Sequence, residues 1–390
     1  MSKTLQDYAT LINDTIQSNE INHYITTDNM CQNLGGIDTF KNINIPQGKV
    51  RSFQKDDVLL SNIRLYFRKV YRAKQKGGCS SDVLVFRAKH IDSATLFAIL
   101  SSQIFTDYAC SGSQGSKMPR GNKTHMMDFK IPTINFTIAK IFNSIQNKIE
   151  NNHKINELLH KILELLYEQY FVRFDFLDEN NKPYQTSGGK MKFSKELNRL
   201  IPNDFEVKTL GELITWISGS QPPKSCHIYE HKDGYIRFIQ NRDYSSNDYI
   251  TYIPISKNNK ICYQYDIMID KYGEAGAVRF GLQGAYNVAL SKISVLNQSM
   301  QEYIRSYLNS KLIKKYLSNA CMASTRSSLN ENHIYSLMLP IPPINLLQKY
   351  EKIAKNIITA IIKNNQSTQT LTALRDFLLP LLLKQQVKPQ

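Results

Sequence analysis

This sequence of 390 residues lacks paired cysteines and long apolar runs. Its six cysteines stand singly, which is typical of reduced thiols rather than of disulfides or zinc sites. The nearest approach to a metal site, formed by Cys226, His227 and His231, has no second pair of ligands and is expected to be a polar loop. No apolar run reaches the roughly 18 residues that span a bilayer, and residues 1–10 are too polar for a signal peptide. We therefore expect a soluble protein of the cytoplasm.

Acidic residues are also scarce relative to basic ones. The chain has 33 Asp and Glu against 49 Lys and Arg, which gives a formal charge of +16 and a pI near 9.4. Such an excess favours a polyanionic partner. Charge alone does not discriminate DNA from RNA, or either from an acidic membrane.

The chain contains a tandem repeat, with the second copy roughly 205 to 212 residues behind the first. The matching segments are Thr4-Leu5 with Thr209-Leu210, Asp57–Leu60 with Asp266–Ile269, Ser102–Tyr108 with Ser310–Tyr316, and Ile131–Ile134 with Ile341–Ile344. A period this long is far above that of solenoids or propellers, so each copy is expected to be a domain with a connector. Such a chain mimics a two-fold dimer, which suits a target with two halves.

Each copy is predicted to be a mixed α and β domain, because β-branched and aromatic runs alternate with turn signals. The predicted strands are 58–60 and 83–86 in the first copy and 235–239, 266–269 and 293–296 in the second. The predicted helices are Ala94–Tyr108 and Gln301–Leu317.

A long segment with apolar residues at every third or fourth position follows each domain, after Pro132 and after Pro342. The first stripe is Ile138, Ile141, Ile145, Ile149, Asn152, Ile155, Leu159, Ile162 and Leu166, and the second is Tyr350, Ile353, Ile357, Ile361, Asn364, Ser367, Leu371, Leu374 and Leu378. This spacing predicts coiled-coil helices. The matched polar residues Asn152 and Asn364 favour pairing of the two helices with each other, and pairing with another chain stays open.

The predicted organisation has five segments. These are a first domain over 1–132, a spacer helix over 133–176, a polar linker over 177–204, a second domain over 205–341, and a second spacer helix with a tail over 342–390. The linker is long enough for an antiparallel helix pair with one domain at each end. We therefore expect an α+β fold with two tandem domains, an antiparallel coiled coil and approximate two-fold symmetry.

Several connecting stretches resemble those of one protein family. They are Tyr170–Phe174, Ser187–Lys190, Ile201–Leu213, Ser218–Pro223, Gly273–Val278 and Pro340–Pro343. Their order, together with the duplication, resembles the DNA specificity subunits of type I restriction-modification systems over nearly the whole chain. Two features depart from the family pattern: Asn203-Asp204-Phe205 stands where a Gly-Trp pair is common, and the first copy lacks the Gly-rich hairpin around Gly273.

The resemblance implies two target recognition domains that each read half of a bipartite DNA site, with the helices as a ruler between them. It implies as partners double-stranded DNA, two adenine methyltransferase subunits and a motor-endonuclease subunit. It also implies that this chain binds no cofactor, and that S-adenosylmethionine and ATP with Mg²⁺ belong to the partner subunits.

The motifs of enzymes that modify or cleave DNA are missing. Neither Pro222-Pro223 nor Pro342-Pro343 forms the Asn/Asp-Pro-Pro-aromatic stretch of an amino-methyltransferase, and the chain has no phosphate-binding loop. Asp266 and Asp270 are conceivable metal ligands, but the first copy has Ser61 where the second has Asp270. We therefore expect a chain without catalytic residues or metal ligands.

Residue types that recognise base edges cluster in equivalent loops of the two copies. In the first copy they are Asn62, Arg64, Ser113, Gln114, Lys117 and Arg120, and in the second Gln240, Asn241, Arg242, Lys271, Tyr272, Ser324, Thr325 and Arg326. For each of these residues a phosphate contact stays an alternative to base recognition. A basic run of Arg68, Lys69, Arg72, Lys74 and Lys76 is expected to neutralise phosphates.

Three alternative functions stay open at this point. One is a specificity chain for a differently organised system, such as a type IIB or fused restriction enzyme. Another is a helical scaffold that assembles proteins without reading DNA. The third is an autonomous methyltransferase, which would transfer methyl groups as an isolated chain.

Overall fold

The structure, a computed structural model, describes residues 3–39, 41–131, 133–245, 249–322 and 328–383, and of Met322 the backbone alone. The chain divides into two compact units. Unit 1 comprises Met1–Ile155 and Gln366–Gln390, and unit 2 comprises Asn156–Asn365. The fold class expected from the sequence, two mixed domains with two long helices, is confirmed, whereas the five-segment division stays a prediction.

Each unit contains a four-stranded antiparallel sheet, which we call the first sheet. In unit 1 its strands are ordered Ala9–Ile12, Val83–Ala88, Val58–Ser61 and Val70–Arg72. In unit 2 the order is Ile214–Ser218, Leu290–Val295, Ile267–Asp270 and Val278–Arg279. Each strand of unit 2 follows its counterpart by about the repeat length, so the duplication predicted from the sequence extends to the strand order.

Each unit also contains a second four-stranded sheet, in which parallel and antiparallel pairs of strands are mixed. In unit 1 the order is Thr15–Gln17, Lys49–Phe53, Gly77–Cys79 and Tyr24–Ile25. In unit 2 the order is Thr251–Pro254, Tyr235–Ile239, Gly284–Tyr286 and Ile261–Cys262. The glycine-led strand has one parallel and one antiparallel neighbour in both units. In unit 1 the remaining strand, Thr15–Gln17, pairs with the antiparallel neighbour. In unit 2 the remaining strand, Thr251–Pro254, pairs with the parallel neighbour.

A glycine begins the shared strand of this second sheet in both units for a steric reason. A Cβ atom on Gly77 would collide with the carbonyl oxygen of His23, and one on Gly284 would collide with that of Arg237. His23 directly precedes the parallel neighbour Tyr24–Ile25, and Arg237 lies within the parallel neighbour Tyr235–Ile239. Close approach of the backbone therefore excludes a side chain at these two equivalent positions.

The short helices do not follow the predicted bounds. The helix predicted over Ala94–Tyr108 is two helices, Ser93–Leu100 and Gln103–Ser111, because Ser102 is extended and its hydroxyl accepts a bond from the Phe105 amide at 3.2 Å. Gln301–Asn309 and Lys311–Met322 are likewise separated by an extended Ser310. A serine that caps a new helix ends the preceding one. The remaining short α-helices are Leu5–Tyr8, Lys123–Met127 and Glu331–Tyr335.

The first long helix is Phe136–Tyr167 and the second is Ile344–Leu378. A π-helical turn, Glu168–Val172, follows the first, and a 3-10 turn, Leu379–Leu382, follows the second. The other 3-10 turns are Ser18–Glu20, Leu65–Phe67, Leu210–Glu212, Lys224–Cys226, Asn241–Tyr244 and Gln298–Met300. In the described part of the chain, no helix combines the length and apolar character that crossing a membrane requires.

The two long helices pack together in an antiparallel sense within each unit. In unit 1 the side-chain amide of Asn152 donates to the Thr368 hydroxyl at 3.1 Å. In unit 2 the side-chain amide of Asn364 donates to the side-chain oxygen of Asn156 at 3.0 Å. These two contacts are equivalent under the repeat. The predicted pairing of the helices with each other is therefore confirmed, although Asn152 and Asn364 do not bond to each other.

The buried face of the first long helix departs from the predicted stripe already at Ile141, which is exposed. Ile155 and Ile162 are exposed, whereas Asn156 is buried. The second long helix shows the same shift, because Ala354 and Ile358 are buried while Ile353 is exposed. Ala354 belongs to the core of unit 2. The buried face therefore packs against a domain as well as against the partner helix, and it follows the helical period of 3.6 residues.

The segment predicted as a linker contains a β-hairpin. Its strands, Met191–Ser194 and Arg199–Pro202, pair in antiparallel register within unit 2. A further strand pair, Glu206–Thr209 with Met338–Ile341, lies at the entry to and exit from the second domain. The linker prediction missed this hairpin because the segment is as polar as a loop. Its strands are also only four residues long, so the alternation of apolar and polar residues is too short to recognise.

The turn that follows each long helix lies in a hydrophobic core. Leu379, Leu382 and Leu383 are almost fully buried in the main core of unit 1. Tyr167 and Phe171 lie in the main core of unit 2. Unit 1 is therefore built from both ends of the chain.

Candidate nucleic-acid interface

Backbone hydrogen bonds join two predicted recognition segments in unit 1. The Asn62 amide follows the strand Val58–Ser61 and donates to the Asp82 carbonyl at 2.8 Å. The Gly121 amide donates to the Asn62 carbonyl at 3.1 Å. The segment around Asn62 is therefore adjacent to the end of the loop that carries Gln114, Lys117 and Arg120.

The loop of residues 114–120, which we call the unit 1 loop, closes on itself and presents polar side chains. Gln114 and Arg120 exchange backbone hydrogen bonds of 2.9 and 2.8 Å. Gln114, Lys117 and Arg120 are exposed, and Arg64 donates to the Lys117 carbonyl at 3.4 Å. The Arg120 guanidinium also lies 3.0 Å from the Asp82 carboxylate. Five of the six residues of unit 1 predicted to recognise base edges thus come together here.

The sixth residue, Ser113, is partly buried, and its hydroxyl donates to the Ala109 carbonyl at 3.1 Å. This bond closes the helix Gln103–Ser111 rather than directing the hydroxyl outward. The geometry assigns Ser113 to the base of the unit 1 loop.

The basic run has more internal contacts than the sequence predicted. Arg68 donates to the Ser101 carbonyl at 3.0 Å, and burial lowers its pKa. The Arg72 guanidinium lies 3.8 Å from the Asp56 carboxylate, and its side chain is 16% exposed. Lys74 contacts Asn147 and Glu150 of the first long helix. Lys76 is exposed, so it is the member of the run best placed for a phosphate.

Unit 2 repeats the backbone arrangement of unit 1. The Lys271 amide donates to the Ala289 carbonyl at 2.8 Å, and the Leu329 amide donates to the Lys271 carbonyl at 3.0 Å. Lys271 and Leu329 follow Asn62 and Gly121 by about the repeat length. Residues Ser324, Thr325 and Arg326, predicted to form the loop before Leu329, lie outside the described residues.

Two other predicted segments of unit 2 meet through a side-chain contact. The Asn241 amide donates to the Tyr272 carbonyl at 3.3 Å. Tyr272 is exposed, and the Lys271 ammonium lies 6.0 Å from the centre of its ring. Gln240 begins the turn Asn241–Tyr244 and is partly buried. Gln240 to Arg242 and Lys271 to Tyr272 therefore form one polar surface in unit 2.

Arg242 is exposed on this turn, whereas its neighbour Asp243 is buried. The Asp243 carboxylate is buried and accepts a hydrogen bond from the Gln240 amide at 2.9 Å. Burial raises the pKa of Asp243. The Arg242 guanidinium lies 5.7 Å from the ring centre of Tyr249. The sequence interpretation missed Tyr249, although a tyrosine close behind an arginine in a polar loop is a recognisable signal.

The two carboxylates considered as nuclease ligands have structural partners. Asp266 accepts a hydrogen bond from the Tyr263 amide at 2.8 Å and lies 3.3 Å from Lys292. Asp270 is buried and bonded to Arg279 at 2.9 Å; burial raises its pKa, and Arg279 opposes that shift. Among the described residues, no group of three or more His, Cys, Asp or Glu side chains is placed to hold a metal ion.

Residues 202–373 match the family model described as the type I restriction modification DNA specificity domain. A specificity subunit named for the type I enzyme MjaIX of Methanocaldococcus jannaschii is 24% identical, over 74% of this chain and 67% of that protein. The HindI specificity subunit of Haemophilus influenzae is 21% identical, over 64% of this chain and 66% of that protein. The chain therefore spans about two thirds of the length of both relatives.

A crystal structure of a type I restriction-modification S subunit from M. genitalium has a similar fold. The TM-score is 0.63 at 15% sequence identity, and the match covers 99% of this chain and 96% of that one. The resemblance identified from the sequence is thus confirmed: the chain is similar to specificity subunits of type I restriction-modification systems, and its residues 202–373 match the model of their DNA specificity domain.

Proposed function

We propose that this chain recognises a bipartite double-stranded DNA site, with each unit reading one half. The observation that carries this proposal is the repeated placement of the recognition segments. The Asn62–Gly121 backbone contact in unit 1 has its equivalent in the Lys271–Leu329 contact in unit 2. Both contacts hold polar segments beside the end of an inner strand of the first sheet. A recognition segment at the same place in each unit suits a target with two half-sites.

Each surface has the chemistry that base recognition requires. Arginine and lysine suit guanine, and asparagine and glutamine suit adenine, when they enter the major groove on a rigid support. Unit 1 offers Gln114, Lys117 and Arg120 on a closed loop, and unit 2 offers Asn241 and Arg242 on a capped turn. Lys76 and the net charge of +16 add attraction to phosphates.

The chain is proposed to direct enzymes rather than to catalyse. We assign adenine methylation to two methyltransferase subunits that bring S-adenosylmethionine, and cleavage to a motor-endonuclease subunit that uses ATP and Mg²⁺. The related proteins named as type I specificity subunits support this assignment. The cytoplasmic location is part of the same proposal.

A selection experiment tests the proposal. The full-length chain, alone and with its methyltransferase subunit, is incubated with randomised double-stranded oligonucleotides, and the bound DNA is sequenced. We expect enrichment of two short sequences separated by a gap of constant length. A helical scaffold would enrich nothing, and a methyltransferase would methylate DNA as the isolated chain. Either result overturns the proposal.

Two variants then assign the half-sites. Lys117→Ala should relax only the half-site read by unit 1, and Arg242→Ala only the other, at about 1–3 kcal/mol for a bidentate base contact. Lys195→Ala is the matched control, because Lys195 is an exposed lysine of the linker hairpin. Uniform weakening of both half-sites by either variant would reassign that residue to a phosphate.

A further inference from the structure

Two cation–aromatic pairs lie on the recognition surface of unit 2. The Arg242 guanidinium lies 5.7 Å from the ring centre of Tyr249, and the Lys271 ammonium lies 6.0 Å from that of Tyr272. The Asn241 bond to the Tyr272 carbonyl joins the two pairs. The rings are exposed by 68% for Tyr249 and 46% for Tyr272. Exposed aromatic rings held beside cations are typical of surfaces that bind ligands.

The backbone beneath Arg242 is fixed from below. Asp243 is buried and caps the turn Asn241–Tyr244 through the Gln240 amide. The Arg242 side chain retains 53% exposure, and its guanidinium lies 3.8 Å from the Asp243 carboxylate. The turn therefore holds the base of the side chain, and the Asp243 carboxylate and the Tyr249 ring both lie near its guanidinium.

We infer that Tyr249 is a positioning residue that holds Arg242 for a guanine in the half-site read by unit 2. An arginine recognises guanine through two parallel bonds to O6 and N7, which demand a fixed plane of the guanidinium. A ring beside the guanidinium restricts that plane and reduces the rotamer entropy lost on binding. This inference rests on the proposed function and names the base pair that one side chain reads.

The test uses the full-length chain with its methyltransferase subunit and the same randomised double-stranded oligonucleotides. Arg242→Lys keeps the charge but loses the planar fork, so the preference for G·C at one position should weaken while overall binding persists. Tyr249→Leu should reduce that preference roughly two- to fivefold, which corresponds to the cation–π contribution at an exposed site. Tyr249→Phe keeps the ring and should restore the preference.

Tyr229→Leu serves as the matched control, since Tyr229 is another exposed tyrosine of unit 2, with 71% exposure. This control should leave every enriched position unchanged. The inference is overturned if Arg242→Lys keeps the full G·C preference, if Tyr249→Leu weakens all positions equally, or if Tyr249→Phe behaves like Tyr249→Leu. Failure of the wild-type chain to enrich any sequence would instead overturn the proposed function, so the two failures are distinguishable.

Discussion

The first sheet has the same strand order in units 1 and 2, but the buried polar groups differ between the units. In unit 1 the second long helix contributes Arg375, which is 2% exposed and donates to Gln146 and to the Asn33 carbonyl, both at 3.2 Å. The residues at the equivalent positions in unit 2 are Leu163 and Ile358. A polar cluster in unit 1 thus has an apolar counterpart in unit 2.

Unit 2 has its own buried polar cluster where unit 1 is apolar. Glu351 accepts hydrogen bonds from the backbone amides of Glu302 and Tyr303 at 3.1 and 2.8 Å, and so caps the helix Gln301–Asn309. In unit 1 the equivalent of Glu351 is Ala139, and Asp92 caps its own helix by accepting from the Thr95 amide at 2.8 Å.

This comparison separates two contributions to the fold. The backbone hydrogen bonds and apolar packing that recur after the duplication define a shared frame. Each polar cluster instead occurs in one unit, because a buried charge or amide requires a specific partner nearby. The two copies are therefore similar in topology but are not interchangeable in their buried contacts.

The largest expected effect comes from the end of the chain. Leu382→Ala should destabilise unit 1 by about 2–5 kcal/mol, because it leaves a cavity in the main core. Hydrogen exchange measured by mass spectrometry should show faster exchange in unit 1 peptides and unchanged protection in unit 2. Leu374→Ala is the control, since Leu374 is 44% exposed. Equal effects of the two substitutions would contradict the assignment of Leu382 to the core.

A smaller effect is expected from making unit 1 more like unit 2. Arg375→Leu installs the residue type of Leu163 and should cost about 1–3 kcal/mol, because Gln146 and the Asn33 carbonyl lose a buried partner. The same exchange measurement on unit 1 reports it. Arg173→Leu, at an exposed ion pair with Glu168 in unit 2, should cost under about 1 kcal/mol in that unit. A more stable Arg375→Leu variant would show that the cluster costs more than it contributes.

A pH dependence is expected from Glu351 in unit 2. Burial raises the pKa of Glu351 to about 7 from an ordinary value of 4.5, so the folded state binds more protons than the unfolded state between these values. The contribution to stability is therefore present at low pH and is lost as pH rises, by at most about 1.4 kcal/mol per pH unit.

Urea unfolding followed by tryptophan fluorescence measures this dependence, because the one tryptophan, Trp216, lies in unit 2. Between about pH 4.5 and 7, the free energy of unfolding of Glu351→Gln should change less than that of the wild-type chain. Parallel pH profiles of the variant and the wild type would contradict a role for Glu351.

The smallest expected effect tests the shared frame. Asn122 accepts from the His125 amide at 3.1 Å in unit 1, and Asn330 accepts from the His333 amide at 3.3 Å in unit 2. Asn122→Ala and Asn330→Ala should each cost about 1 kcal/mol in their own unit, as losses of helix caps do. Clearly unequal losses in the two units would limit the shared frame to the strands.

The sequence predicted the features that depend on repetition and on strong periodicity. The duplication, the inner strands of the first sheets and the paired long helices all follow from patterns that extend over many residues. The helix breaks at Ser102 and Ser310 were missed because one serine competes with a continuous apolar pattern. The second sheets were largely missed because strands such as Tyr24–Ile25 have only two residues and exist through tertiary pairing.

The candidate site was predictable at the level of segments rather than of side chains. Equivalent loops were identified because they follow equivalent strands, and the contacts of Asn62 and Lys271 agree with that placement. The sequence did not indicate that Arg68 and Arg72 have internal partners, because their acceptors, such as the Ser101 carbonyl, are distant in sequence. Whether the named residues recognise DNA stays a prediction.

Unit 1 combines residues from both ends of the chain, whereas unit 2 is one continuous segment. This difference imposes an order on folding during synthesis, because a unit completes its core only when all of its residues have been made. Unit 2 has its full core once residue 365 has emerged from the ribosome. Unit 1, begun first, still lacks Leu379, Leu382 and Leu383 at that moment. The domain that is translated first is therefore the last to be finished.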